Sequence, residues 1–147
     1  MKAIWTLALA AAIGMAGLVP DTAQAQDDNA PKVVYHLDNT QLNGLKALRN
    51  MRNHLNTAPE TDIVMVMHSG GVDLMFEGAT HGQSETPFGP LIADLKSRGV
   101  EFLVCEITLD RRNLSKDQFV LETTFTPSGV VALTDLQLKE GRAYIKP

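Results

Sequence analysis

Cys105 is the only cysteine in a chain of 147 residues, and it closes an apolar run that reads as a strand, Val100 to Cys105. A thiol is a nucleophile only as its thiolate. A helix starting at Glu106 or Ile107 would favour that form through its free N–H groups and dipole. Arg111 or Arg112 would help if the loop folds back, whereas the Glu106 carboxylate would oppose ionisation. The plainer alternative is a buried cysteine acting as a small hydrophobe. His68 is the second candidate. It ends an apolar strand and precedes Ser69-Gly70-Gly71, where an imidazole can bind a ligand or metal, act as base toward Cys105, or simply cap its strand. Of the other histidines, His36 lies mid-strand and His54 on a polar helix face, and neither is assigned a role. His81 sits in a polar segment.

Other chemistries are less well supplied. One cysteine and scattered histidines lack the closely spaced ligand pairs of a structural zinc site, so no metal and no cofactor are expected. There is no Gly-x-Ser-x-Gly elbow and no phosphate-binding glycine motif. Thr126-Pro127-Ser128-Gly129 is a helix start whose free amides suit an anion, although most such turns only cap a helix. Amides of Gly70, Gly71 and the Ser128-Gly129 turn are therefore the candidate partners of an anionic sulfur on Cys105. The net charge of −4 argues against a nucleic-acid footprint, which needs a basic patch.

The elements that must position these residues alternate. Strands are expected at Lys32 to Leu37, Asp62 to Met67, Val100 to Cys105, Glu122 to Thr126 and Arg142 to Ile145. An amphipathic helix is expected from Gln41 to Asn56, with Leu42, Leu45, Leu48, Met51 and Leu55 on its apolar side. Further helices are expected at Val72 to Ala79, Pro87 to Ser97, just after Ser115, and Val130 to Lys139. Gly78 to Thr86 reads as polar and flexible. Alternation of this kind gives a mostly parallel sheet with helices on both faces, built from right-handed crossovers. Ligands of such sheets bind beyond the carboxyl ends of the strands. Asp38 to Thr40, His68 to Gly71, Cys105 to Thr108 and Pro127 to Gly129 all belong to that edge.

The first residues carry a different signal. Lys2, the apolar stretch Ile4 to Val19 and Ala23-Gln24-Ala25 make a secretory signal, with cleavage expected after Ala25. The expected organisation is a signal peptide over 1–25, a disordered leader over 26–31 and one domain over 32–147. The expected location is the periplasm, with no membrane contact after cleavage. Exported proteins usually pair their cysteines, so one unpaired thiol points to reactivity or to pairing with another molecule.

Five stretches together resemble the DsrE/DsrF-like family, in its exported, stand-alone branch. They are VVYHLDN (Val33 to Asn39), ALRNMRNHL (Ala47 to Leu55), HSGGVDLMFEGA (His68 to Ala79), RGVEFLVCEITL (Arg98 to Leu109) and TPSGVVALTDLQLKEGRAYIKP to the C-terminus. The resemblance implies a three-layer α/β/α sandwich around a mostly parallel five-stranded sheet, and a homo-oligomer (dimer, trimer or hexamer). In the sulfur-relay members a cysteine on this loop carries a persulfide between partners, a role that maps onto Cys105 alone. Two departures stand out: Glu106 replaces the uncharged amide expected in close relatives, and the relay members are cytoplasmic.

Three functions compete. The first is a periplasmic sulfur carrier or sulfurtransferase-like protein, taking sulfur on Cys105 from a donor protein or small sulfane-sulfur compound and passing it on. It requires a partly exposed thiol of low pKa. The second is a non-enzymatic, homo-oligomeric module that binds a small ligand at the strand ends, with Cys105 as packing. The third, ranked well below, is a metal or redox sensor using His68 and Cys105.

Overall fold

The computed structural model describes residues 30–147; the expected signal, 1–25, and residues 26–29 of the leader lie outside the described residues. The elements run β1 (Lys32–Asn39), α1 (Thr40–Thr57), β2 (Asp62–Gly70), a 3₁₀ helix (Gly71–Met75), α2 (Gly89–Ser97), β3 (Glu101–Cys105), α3 (Glu106–Arg112), a short 3₁₀ helix (Lys116–Gln118), β4 (Thr123–Thr126), α4 (Gly129–Leu138) and β5 (Ala143–Ile145). The five strands form one sheet in the order β4-β3-β2-β1-β5, with every neighbouring pair parallel.

Handedness and strand order together decide which helix covers which face. From β1 to β4 the chain steps one way across the sheet, so right-handed crossovers put α1, α2 and α3 on one side. From β4 it returns to the far side of β1, and the same rule puts α4 on the other. The side chains follow with the two-residue period of a strand. Val33, Tyr35 and Leu37 of β1, Ile63, Met65 and Met67 of β2, and Phe102 and Val104 of β3 enter the larger core with Leu48, Met51, Leu55, Ile92 and Leu95. Val34, Val64 and Val66 face the other way, onto Leu133 and Leu136 of α4. The result is the expected α/β/α sandwich, with one layer much thinner than the other.

Helix ends follow their capping residues. Asn39 accepts a hydrogen bond from Leu42 N–H (3.1 Å) and opens α1, and Ser128 accepts one from Val131 N–H (3.4 Å) and opens α4. Within α1, Gly44 lets the helix lie against Leu74; a Cβ there would meet Leu74 at 3.0 Å and Thr40, one turn earlier in the same helix, at 3.1 Å.

Several expectations are revised. The helix expected at Val72 to Ala79 is only the 3₁₀ turn Gly71–Met75, because Phe76 swings to extended backbone and bridges Phe119. Gly78 to Thr86 is a closed turn in which Thr80 bridges Pro87 and His81 N–H donates to Thr86 C=O (2.9 Å). It rests on α1, on the opposite side of the sheet from Cys105. Leu42 faces solvent rather than the core; Val131 and Leu138 of α4 are exposed as well. Among the described residues no helix is long and apolar enough to cross a membrane.

Candidate functional site

The connections leaving β3 and β4 go to opposite faces, since α3 lies with α1 and α2 while α4 lies alone. That divergence marks the crevice position between the carboxyl ends of these two neighbours, the place where open parallel sheets bind ligands. Cys105 ends β3 there, paired in register with Thr126 of β4. It shares the α4 side of the sheet with Leu103, two residues earlier. The thiol is free and 4% exposed.

Cys105 is also the N-cap residue of α3, with extended backbone at φ −74° and ψ 115°. A side chain in this position lies beside the amides of the second and third helical residues, Ile107 and Thr108, although Cys105 makes no capping hydrogen bond to them. A further amide comes from across the crevice, where Gly129 opens α4. A Cβ on Gly129 would stand 3.1 Å from the Cys105 Cβ and 3.3 Å from the His68 Cβ, so a side chain there would have to push these neighbours back by a few tenths of an ångström. Burial pushes the Cys105 thiol up. The N–H groups of Gly129 and Thr108, the Thr108 hydroxyl and the Ile107 N–H outweigh it and bring the thiol below its ordinary value. Such donors favour the charged form, because a thiolate accepts far more strongly than a neutral thiol.

Thr108 does two jobs. Its buried hydroxyl accepts a hydrogen bond from Ser69 N–H (3.0 Å), which leaves its own hydrogen for Cys105. Ser69 is held in left-handed backbone, φ 53°, an uncommon conformation for a side-chain-bearing residue. Arg112 secures the same turn by donating to Ser69 C=O (3.1 Å) and to Asp73 (2.7 Å). It is thus spent on the turn rather than on the thiol. Glu106, the charge expected to oppose ionisation, is paired with Lys116, whose ammonium also lies over the Phe125 ring.

The other candidate residues occupy different places. His68 ends on the same side of the sheet as Cys105 and meets it across Gly129, but its ring nitrogens turn elsewhere. Nδ1 faces Ser69 Oγ at 3.0 Å and Nε2 faces His36 Nε2 at 2.7 Å. His36 in turn places Nδ1 2.6 Å from the Tyr144 hydroxyl. Burial lowers the His36 pKa, as do His68 and Lys146, against the opposing pull of Asp38. Gly71 is used for close packing: a Cβ there would fall 2.1 Å from the Leu37 carbonyl oxygen. Its own carbonyl accepts from the Thr40 hydroxyl at 3.0 Å. The Ser128 hydroxyl caps α4. Gly129 is therefore the one member of the expected binding set whose amide favours the Cys105 anion, and Ile107 and Thr108 join it. Thr108 and His36 were not singled out from the sequence. Thr108 was legible as the third residue of a helix capped by Cys105.

A model of the DsrE/DsrF-like family matches residues 32–147, the whole described domain save its first two residues. The chain belongs to the DsrE/DsrF-like family. Among solved structures it is similar to a protein of unknown function, MTH1491, from Methanobacterium thermoautotrophicum. That match has 26% identity and a TM-score of 0.69, over 80% of this chain and 99% of the other. It also shares its fold with the ychN protein of E. coli, at 15% identity and a TM-score of 0.64 over the same shares. No curated protein matches it. Membership in the DsrE/DsrF-like family ties this domain to a fold used in sulfur relay.

Proposed function

We propose that this DsrE-family protein is a periplasmic sulfur carrier whose acceptor is Cys105. The observation that carries the reading is the setting of the thiol. It is a lone cysteine at the crevice between β3 and β4, and backbone amides from two helices with one hydroxyl overcome burial to favour its anion. The step is thiol–sulfane exchange. The Cys105 thiolate attacks the outer sulfur of a donor R–S–S⁻. A sulfur–sulfur bond forms on Cys105, the donor S–S bond breaks, and its electron pair leaves with the thiolate RS⁻, which takes a proton from water. Attack by an acceptor thiolate on the outer sulfur reverses the sequence and delivers the sulfur. The donor is a small sulfane compound or a partner protein. The signal at residues 1–25 supports export, and the family resemblance supports a homo-oligomer. Val130, Val131 and Leu138, which leave α4 apolar on its solvent side, support the same conclusion.

The 4% exposure of Cys105 favours a second reading, a ligand-binding homo-oligomer with a structural thiol. Intact mass of the mature protein, before and after a polysulfide, separates the two when Cys105→Ser is run alongside. One added sulfur on wild type alone is the expected result. No adduct, with a thiol that alkylates only in urea, would leave the binding module standing.

A further inference from the structure

The two histidines on the α4 side form an arrangement that sulfur transfer at Cys105 does not use. His36 and His68 point Nε2 at Nε2 across 2.7 Å, with ring centroids 4.7 Å apart and the rings tilted by 44°. The centroids lie well farther apart than the two nitrogens, so the Nε2 corners face each other and both rings extend away from the contact. Each ring spends its other nitrogen on a hydroxyl, His36 on Tyr144 and His68 on Ser69. Outer hydrogen bonds of this kind orient metal-bound imidazoles and fix which nitrogen is free. His36 is nearly buried, two residues beyond Val34 on the same face, whereas Ser69 beside His68 is exposed. His36 is therefore the fixed ring, and the half-buried His68 is the one whose side chain can swing outward.

We propose that His36 and His68 form a two-coordinate site for a soft monovalent metal ion of the copper(I) class. Donor number and direction choose the ion. Among the described residues no third His, Cys, Asp or Glu joins the pair in a metal-binding group. Zinc completes a tetrahedron of four ligands and finds half of one here. Two imidazole nitrogens that face each other suit an ion content with two ligands, and imidazole is a good copper ligand. With metal–nitrogen bonds of about 2 Å each, the nitrogens must part to roughly 4 Å, which requires His68 to move outward. The proton count closes without loss. In the neutral pair one Nε2 carries the hydrogen that lies between the rings. On binding, that ring shifts its hydrogen to Nδ1, where a hydroxyl oxygen receives it. For His36 this is the oxygen of Tyr144, a residue 44% exposed whose own hydrogen can turn to solvent. No oxidant or reductant takes part.

The site does not depend on Cys105, so it stands or falls apart from the sulfur-carrier reading. The test is anaerobic titration with copper(I) against a chromophoric copper(I) chelator, on wild type, His36→Gln, His68→Gln and Cys105→Ser. Wild type and Cys105→Ser are expected to hold one equivalent with the same affinity. Each histidine variant is expected to bind at least 100-fold more weakly. Loss of copper in Cys105→Ser, or its retention in either histidine variant, would overturn the assignment. So would equal affinity for zinc. ¹⁵N NMR of the wild-type histidines keeps the test independent of whether the variants fold: copper(I) must move the Nε2 signals of His36 and His68, and unchanged signals overturn the site.

Discussion

The two ends of the sheet apply one physical device to different purposes. At the amino ends of the strands, Arg142 is nearly buried. Burial works against its charge, yet Asp62 (2.8 Å) and Glu140 (2.9 Å) hold the guanidinium above its ordinary pKa. Arg142 also donates to the Asp62 carbonyl (3.1 Å), while the Asp62 N–H donates to Pro31 C=O (2.9 Å). At the carboxyl ends, Cys105 is likewise buried and likewise opposed by its partners. Those partners are amide and hydroxyl dipoles rather than full charges. Opposite charges make ionisation permanent and tie the start of β5 to the start of β2. Dipoles favour a charge that can form and disappear. A permanent pair makes a staple, and a conditional one makes a place for chemistry.

Removing one member of the staple should have the largest effect. Arg142→Ala leaves Asp62 nearly buried without its cation and should cost about 3 kcal/mol in urea unfolding, as breaking a buried pair does. Native alkylation of Cys105 should keep its wild-type rate, because the two ends are joined only through the sheet. A change in that rate larger than about threefold would show that the ends are coupled. At the other end, Gly129→Ala forces a methyl against Cys105 and His68. Overpacking of this kind should cost about 2 kcal/mol. It should also slow Cys105 alkylation roughly tenfold, a barrier rise of about 1.4 kcal/mol, by pushing the Gly129 amide off the sulfur. Wild-type reactivity in this variant would mean that the α4 amide contributes nothing to the thiol.

The residues of the staple and of the crevice were unequally visible in the sequence. Strand and helix alternation, with the handedness rule, places the α4 side and gives Cys105 its edge. The period of two places His68 on the same face as Val66. What joins His36 to His68 is the register of β1 on β2, which sets His36 opposite Val66, two residues before His68 on the same face. Register between strands is decided by tertiary packing, so His36 read as an ordinary strand residue. Gly70 and Gly71 carried a true signal with a different cause. The tight approach at Gly71 is to the Leu37 carbonyl rather than to a ligand. Arg142 read only as the start of a short strand, because nothing local marks an arginine whose partner lies 80 positions earlier.

Thr108 separates the static and conditional parts of the carboxyl end. Thr108→Val keeps the side chain's shape and removes both of its hydrogen bonds. Ser69 N–H loses its acceptor, but Ser69 is exposed and water can replace it. The cost at pH 7 should therefore be small, about 1 kcal/mol. The cost should grow with pH. In wild type the folded thiol ionises below its ordinary value of 9.0, so over the interval between the two the unfolded chain binds more protons and stability rises with pH. That contribution is complete above 9.0 and is lost as pH falls through the folded value. Without the Thr108 hydroxyl the folded value moves up and the contribution shrinks. The gap between wild type and variant should widen from pH 7 to pH 9.5, and the alkylation profile of the variant should shift to higher pH. A gap that stays constant, with matching profiles, would reduce Thr108 to a strut for the Ser69 turn and leave the thiol to the backbone amides alone.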